Sequence, residues 1–183
     1  MITPKTIAND EEYLRQVSIP IDFNQDPIEQ YAKELKEYCI KANLYALASI
    51  QIGIPKRMIY IRNTNEDMSK NEDKDYSEDQ FMINPVIRSK KGKTRFLEGC
   101  GSCLDYVAVV ERPYKVEVEY LDLQGISHKE IIEGFGATVF CHEYDHLDGI
   151  LHMDRSQEVY RMNRDEMRAY RLNHPYQIIE KDA

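Results

Sequence analysis

The chain has 183 residues with an ordinary globular composition, enough to bury one core without disulfides, and its formal charge is -8 from 32 acidic and 24 basic residues. An acidic balance without clustered Lys and Arg argues against a nucleic-acid surface, and no stretch approaches the ~18 apolar residues of a membrane span. No basic, then apolar, leader opens the sequence, so a cytoplasmic protein is expected, without excluding an organelle. One domain over residues 1–183 is expected, with 155–183 as a C-terminal helical extension.

The charged piece from Asp10 to Gln16 and the following Val-Ser-Ile-Pro-Ile read as an extended lead-in. From Pro27 to Ala42 the apolar positions Ile28, Tyr31, Ala32, Leu35, Tyr38 and Cys39 keep helical spacing. Asp26 is the expected N-cap and Pro27 the first helical residue. Cys39 lies on the apolar face and reads as core. Gln51 is the polar exception in the apolar tract 43–55, and two roles fit it. It either ties down the Gly53-Ile54-Pro55 turn or donates a hydrogen bond to a developing oxyanion.

Met58 to Ile61 is strand-like, and Arg62 to Gln80 is polar enough to be a solvated loop. Strands follow at Phe81–Ile87, where Asn84-Pro85 marks an edge or a bulge, at Val107–Val110, and at Lys115–Leu121. A turn at Asp122–Gly125 returns the chain as a hairpin through Ser127–Ile132.

The last informative stretch is Val139 to Gly149, Val-Phe-Cys-His-Glu-Tyr-Asp-His-Leu-Asp-Gly. Phe140, Tyr144 and Leu147 give i, i+4, i+7 spacing, so a helix is expected, with Gly149 as its stop. On it His142 and His146 share one face and can converge on one metal ion, while Glu143 is placed to move protons rather than to bind the metal. Cys100, bracketed by Gly99 and Gly101, is a third ligand that leaves a position open for water. Two competing sets exist. Cys100, Cys103, Cys141 and His142 could close a structural site, and Glu158 or Glu166 could complete a zinc-protease set. Both glutamates fall in a charged segment, Arg155 to Arg171, that reads as a surface helix capped near Ser156. Altogether the order suggests an α+β domain: mainly antiparallel strands around a central metal-binding helix, with an N-terminal amphipathic helix and a C-terminal helix.

Three segments in this order resemble peptide deformylase, whose motifs are written GxGLAAxQ, EGCxS and HExDH. Leu44 to Gln51 is similar to the first, and Glu98 to Ser102 and His142 to His146 match the others. Arg112-Pro113 and Ile83-Asn84-Pro85 add smaller similarities. The resemblance implies that Cys100, His142 and His146 hold one divalent metal ion, Fe2+ in the cell with Zn2+, Ni2+ or Co2+ as substitutes. Glu143 would be the general acid and base, with Gln51 and the Gly101 N–H stabilising the oxyanion. Leu44, Tyr45 and Ala46 would bind substrate, a formyl-methionyl nascent peptide, and formate would be released. For the C-terminal segment, docking on the domain, on a partner or on the ribosome all stay open. In the first motif Leu44 and Ala46 replace both family glycines, and Tyr45 stands where a smaller aliphatic residue is usual. In the second, Gly101 replaces a bulky apolar residue. Added side chains at 44–46 are therefore expected to narrow the cleft or shift its backbone.

Overall fold

The computed structural model describes residues 4–62 and 79–181. In chain order these form α1 (Ile7–Leu14), α2 (Ile28–Lys41), β1 (Ala46–Ala48), β2 (Met58–Ile61), β3 (Gln80–Lys91), β4 (Lys93–Gly99), β5 (Tyr106–Arg112), β6 (Lys115–Leu121) and β7 (Ser127–Glu133). Then come α3 (Gly134–Leu147), β8 (Val159–Arg161), α4 (Arg164–Asn173) and β9 (Gln177–Glu180). The strands make two antiparallel sheets, one ordered β1-β2-β3-β6-β7 and the other β8-β5-β4-β9. Most of the loop expected between Arg62 and Gln80, residues 63–78, lies outside the described residues.

The apolar stripe expected on α2 is its buried face: Ile28, Ala32, Leu35 and Cys39 pack with Leu47, Met58, Tyr60 and Ile83. Its cap differs from expectation. Pro27 holds the N-cap position, and the Asp26 carboxylate instead accepts from the Asp22 N–H and pairs with Lys56. The lead-in is also not wholly extended, because residues 7–14 are helical. Asn9 accepts from the Thr6 N–H at 2.7 Å in a capping box, a polar start signal that apolar spacing does not reveal.

β3 lies between β2 and β6, so Asn84-Pro85 marks a bulge and not an edge. The pairing with β6 slips between Ile83 and Val86, and Asn84 takes a φ of 50° while its amide bonds both backbone groups of Ile21. The hairpin from Lys115 to Ile132 forms in register as β6 and β7. The segment after Arg155 is not simply helical. Ser156 accepts from the Glu158 N–H in a turn leading into β8, and the helix starts later, capped by Asn163 with Glu166 closing the box. Both β8 and β9 are edge strands of the second sheet.

Helix α3 carries the expected His-Glu-Tyr-Asp-His run and begins earlier than its apolar spacing indicates, at Gly134. It is buried on nearly all sides, as a helix between two layers must be. Ala137, Phe140 and Leu147 join Ile59, Met82, Val116 and Val118 of the first sheet, while Thr138 faces Thr94 of the second at 3.4 Å. Gly149 follows with φ of 72° and lies where an added Cβ would come within 2.2 Å of the Arg15 carbonyl oxygen, so the chain can turn away only without a side chain there. Phe140 is fully buried. Phe140→Ala is expected to cost ~3–5 kcal/mol in urea unfolding, and a loss under ~1 kcal/mol would contradict this packing.

Candidate metal centre

Strand β4 ends at Gly99, which delivers Cys100 to the side of α3 that bears His142 and His146. One ligand atom from each of these residues lies within 4.8 Å of the other two, and Cys100 Sγ is 3.2 Å from His146 Nε2. His142 donates from Nδ1 to Glu98 Oε2 at 2.9 Å, which leaves Nε2 as the atom able to take an ion. One sulfur and two imidazole nitrogens, with no fourth protein group in the set among the described residues, suit a divalent ion that keeps an open position. Burial works to lower the His142 imidazole, but Cys100 and Glu98 outweigh it and raise it well above its ordinary value.

Behind the three residues lies a buried charge network. Glu98 takes both Nε and Nη2 of Arg112, at 2.8 and 2.9 Å. Arg112 Nη1 reaches Asp145 at 2.5 Å, and Asp145 also accepts from Arg155 at 2.6 and 3.0 Å. Burial alone would raise the Glu98 carboxyl, yet Arg112 and then His142 hold it well below the usual carboxylate range. Burial would likewise raise Asp145, and Arg155 and Arg112 lower it. Glu98 and Asp145 lie inside the motif segments and Arg112 in the Arg112-Pro113 similarity, and sequence alone gives none of the three a role. Their signal was available: charged letters inside metal motifs that have no metal to bind.

Glu143 is 6 % exposed, and its Oε2 has no hydrogen-bond partner among the described residues. Burial pushes its carboxyl up to about 7, with His142 opposing the rise and Cys100 adding to it. Gln51 is fixed in one orientation: Oε1 accepts from the Ala48 N–H at 2.9 Å, while Nε2 donates to Ser102 Oγ at 3.1 Å and lies 3.6 Å from Cys100 Sγ. The following turn is held by backbone bonds, from Gly53 N–H to Ile50 and from Ile54 N–H to Ser49. Gln51 therefore does not hold the Gly53-Ile54-Pro55 turn; its Oε1 caps the turn at residues 49–52, and its Nε2 is directed at the site. The Gly101 N–H has no partner among the described residues.

These groups floor a cleft of about 470 Å³. Leu44, Tyr45 and Ala46 line one side, and Phe96, Phe135 and Val139 form an apolar end. Neither Leu44 nor Ala46 adopts positive φ; that conformation falls on Asn43, at 54°. The replaced glycines therefore do not distort the strand. A Cβ on Gly101 would lie 3.2 and 3.3 Å from the two Leu44 methyls, so the leucine fills the space that a side chain at 101 would take. The two departures compensate one another. Met162, Met167 and Arg171 also line the cleft, so the C-terminal segment, for which docking on the domain, a partner or the ribosome stood open, lies against the domain.

The competing sets do not assemble. Cys103 groups with Cys100 and His152, while Cys141 joins neither Cys/His group among the described residues and is a buried thiol pushed up to about 12 by burial. Glu158 pairs with Arg95, and Glu166 accepts from the Asn163 N–H at the start of α4.

The chain matches the family described as polypeptide deformylase over residues 4–162. It is 37 % identical over 155 residues to a peptide deformylase of Pelagibacter ubique, covering 84 % of this chain and 86 % of that one. Among solved structures, a probable peptide deformylase from Synechococcus phage S-SSM7 superposes with a TM-score of 0.73 at 33 % identity, covering 85 % of this chain and 99 % of the phage protein. A Met-Ala-Ser-bound class I type b peptide deformylase from Acinetobacter baumannii gives 0.73 at 28 % identity, covering 85 % and 98 %.

Arg112→Met leaves Glu98 and Asp145 buried with less compensation, and denaturant unfolding is expected to show a loss of ~3–5 kcal/mol. Since both carboxyls are lowered in the folded protein, their contribution is present above their ordinary values, 4.5 and 3.8, and is lost as pH falls below them. A variant as stable as the parent at pH 7 would contradict the network's role.

Proposed function

Because the chain belongs to the polypeptide deformylase family, we infer the roles of its site residues from the chemistry that removing a formyl group demands. It is a hydrolase that takes the N-formyl group from newly made polypeptides, and the family is metal-dependent. We assign Cys100, His142 and His146 as the metal ligands and Glu143 as the proton carrier. The observation that carries this reading is the convergence of the three ligand atoms beside a buried carboxylate oxygen that has no other partner among the described residues.

When bound, a divalent ion lowers the pKa of its water from ~15.7 toward ~7 and so supplies the nucleophile at neutral pH. The protein's own groups do the rest. Glu143 accepts the water's proton and returns it to the leaving amine, a transfer favoured by a carboxyl poised near neutrality. Gln51 Nε2 and the Gly101 N–H donate to the formyl oxygen as it gains charge, each contributing on the order of 3 kcal/mol. The products are formate and a free N-terminus.

The apolar end formed by Phe96, Phe135 and Val139 takes the methionine side chain, and residues 44–46, which lead into the edge strand β1, run beside the peptide. The mutual fit of Leu44 and Gly101 favours ordinary formyl-methionyl substrates over an altered acyl group. Retention of Glu143 and Gln51, neither of them needed to hold the ion, favours a working enzyme over a binding module. We propose Fe2+ as the ion in the cell, with Zn2+, Ni2+ or Co2+ as substitutes, since a mixed sulfur and imidazole set accepts all four. The work is done where formylated chains are made, beside the ribosome, in the cytoplasm or in an organelle. Among the described residues no helix is long and apolar enough to cross a membrane.

Protein reconstituted anaerobically with Fe2+ is expected to release formate from a formyl-Met peptide, and Glu143→Gln to lower that rate by ~10²- to 10⁴-fold while keeping one equivalent of metal. Undiminished turnover in the variant would refute the proton-carrier role. Cys100→Ser is expected to lose most of its metal and Glu166→Ala to keep it, as read by metal analysis after dialysis; the reverse outcome would favour the protease-like ligand set.

A further inference from the structure

The residues after the family match, 163–181, are held over the cleft from both ends. β8 pairs with β5 just before α4, and β9 pairs with Lys93, Thr94 and Arg95 of β4 just after it. Between these anchors α4 turns Arg171 and Met167 toward the cleft. Arg171 donates from Nε and Nη2 to the Leu97 carbonyl oxygen, at 3.0 and 2.8 Å, and its guanidinium lies 4.6 Å from the Phe96 ring centroid. Met167 Sδ is 3.2 Å from the place of an added Cβ on Gly99. Further on, Tyr176 meets both aromatic walls of the apolar end, with ring centroids 6.0 Å from Phe96 and 5.5 Å from Phe135, while those two rings stand edge to face at 5.3 Å.

Arg171 is half-buried against a ring and a carbonyl and makes no ion pair with a carboxylate among the described residues, so its charge is costly to hold there, and burial lowers its pKa while Tyr45 and Glu98 oppose that. What it positions is specific. Phe96 lines the apolar end and lies four residues before Cys100 on the strand that delivers it. We propose that the α4–β9 segment completes the first-side-chain pocket of the cleft, with Arg171 as a specificity-determining residue that fixes Phe96, and so sets the preference for a long, unbranched apolar side chain such as methionine. This rests on the deformylase reading of the cleft. Arg171 touches neither metal ligand nor proton carrier, so its effect falls on binding and selectivity.

The test compares formyl-Met-Ala-Ser with formyl-Ala-Ala-Ser on the full iron-loaded chain. In Arg171→Ala, KM for the methionine peptide is expected to rise ~10-fold with kcat within ~2-fold, and the preference for methionine over alanine to narrow by a similar factor, within the range that loss of a well-shaped apolar pocket produces. Arg171→Lys, which keeps the charge and one donor, should recover part of the loss. Leu172→Ala, on the exposed face of α4, should match the parent. Parental KM and preference in Arg171→Ala would overturn the proposal, as would a fall in kcat and metal content with the preference intact, which marks a merely structural role. Calorimetric binding of Met-Ala-Ser reads the pocket without turnover: several-fold weaker binding by Arg171→Ala supports the proposal and equal affinity overturns it. A parent protein that binds this peptide yet releases no formate overturns the deformylase reading alone.

Discussion

Two negative charges, Glu98 and Asp145, and the guanidinium of Arg112 are almost completely withdrawn from water between α3 and the second sheet. Burying any one of them alone would cost several kcal/mol, so the three must be brought together or not buried at all. Each comes from a different element: Glu98 from β4, Arg112 from β5 and Asp145 from α3. Satisfying the network therefore fixes how the helix sits against the strands. Cys100 is two residues beyond Glu98, and His142 and His146 flank Asp145 on the helix. The geometry of the proposed metal set is tied to the pairing of charges behind it, because the Glu98 bond to His142 Nδ1 links that network directly to one of the proposed ligands.

The cleft in front of this frame is adjusted by packing rather than by backbone change. Leu44 occupies the volume that a side chain at 101 would need, and the unusual glycine leaves an N–H accessible at the site. The left-handed residue that such a turn requires is Asn43, whose short polar side chain tolerates that conformation better than most. A segment outside the family match supplies the remaining wall.

How much of this could be read from the sequence differed by kind of signal. The stripe of α2, the β6–β7 hairpin and the histidine pair on α3 all rest on periodicity or short spacing, and all appear where such signals put them. Polar start signals were harder. The Thr6–Asn9 box that opens α1 and the Asn163–Glu166 box that opens α4 sit among charged residues, while Asp26 and Ser156, the expected caps, bond elsewhere. The edge strands β8 and β9 are three and four residues long and exposed, with pairing supplied by a distant strand, so no local pattern marks them. In the site, the residues facing the cleft came from the motifs, but the charge network and Arg171 did not. Their hydrogen-bond partners lie 10 to 74 residues away in sequence, and the fold brings them together.

The dependence of the metal set on the charges behind it is tested most directly by the affinity of the apo protein for Co2+, measured against a competing chelator, in the parent and in Glu98→Ala. Loss of the carboxylate that orients His142 is expected to weaken binding by ~10- to 100-fold while Cys100, His142 and His146 are all still present. Equal affinity in a folded Glu98→Ala protein would mean that the three ligands hold their positions unaided, and would contradict the account.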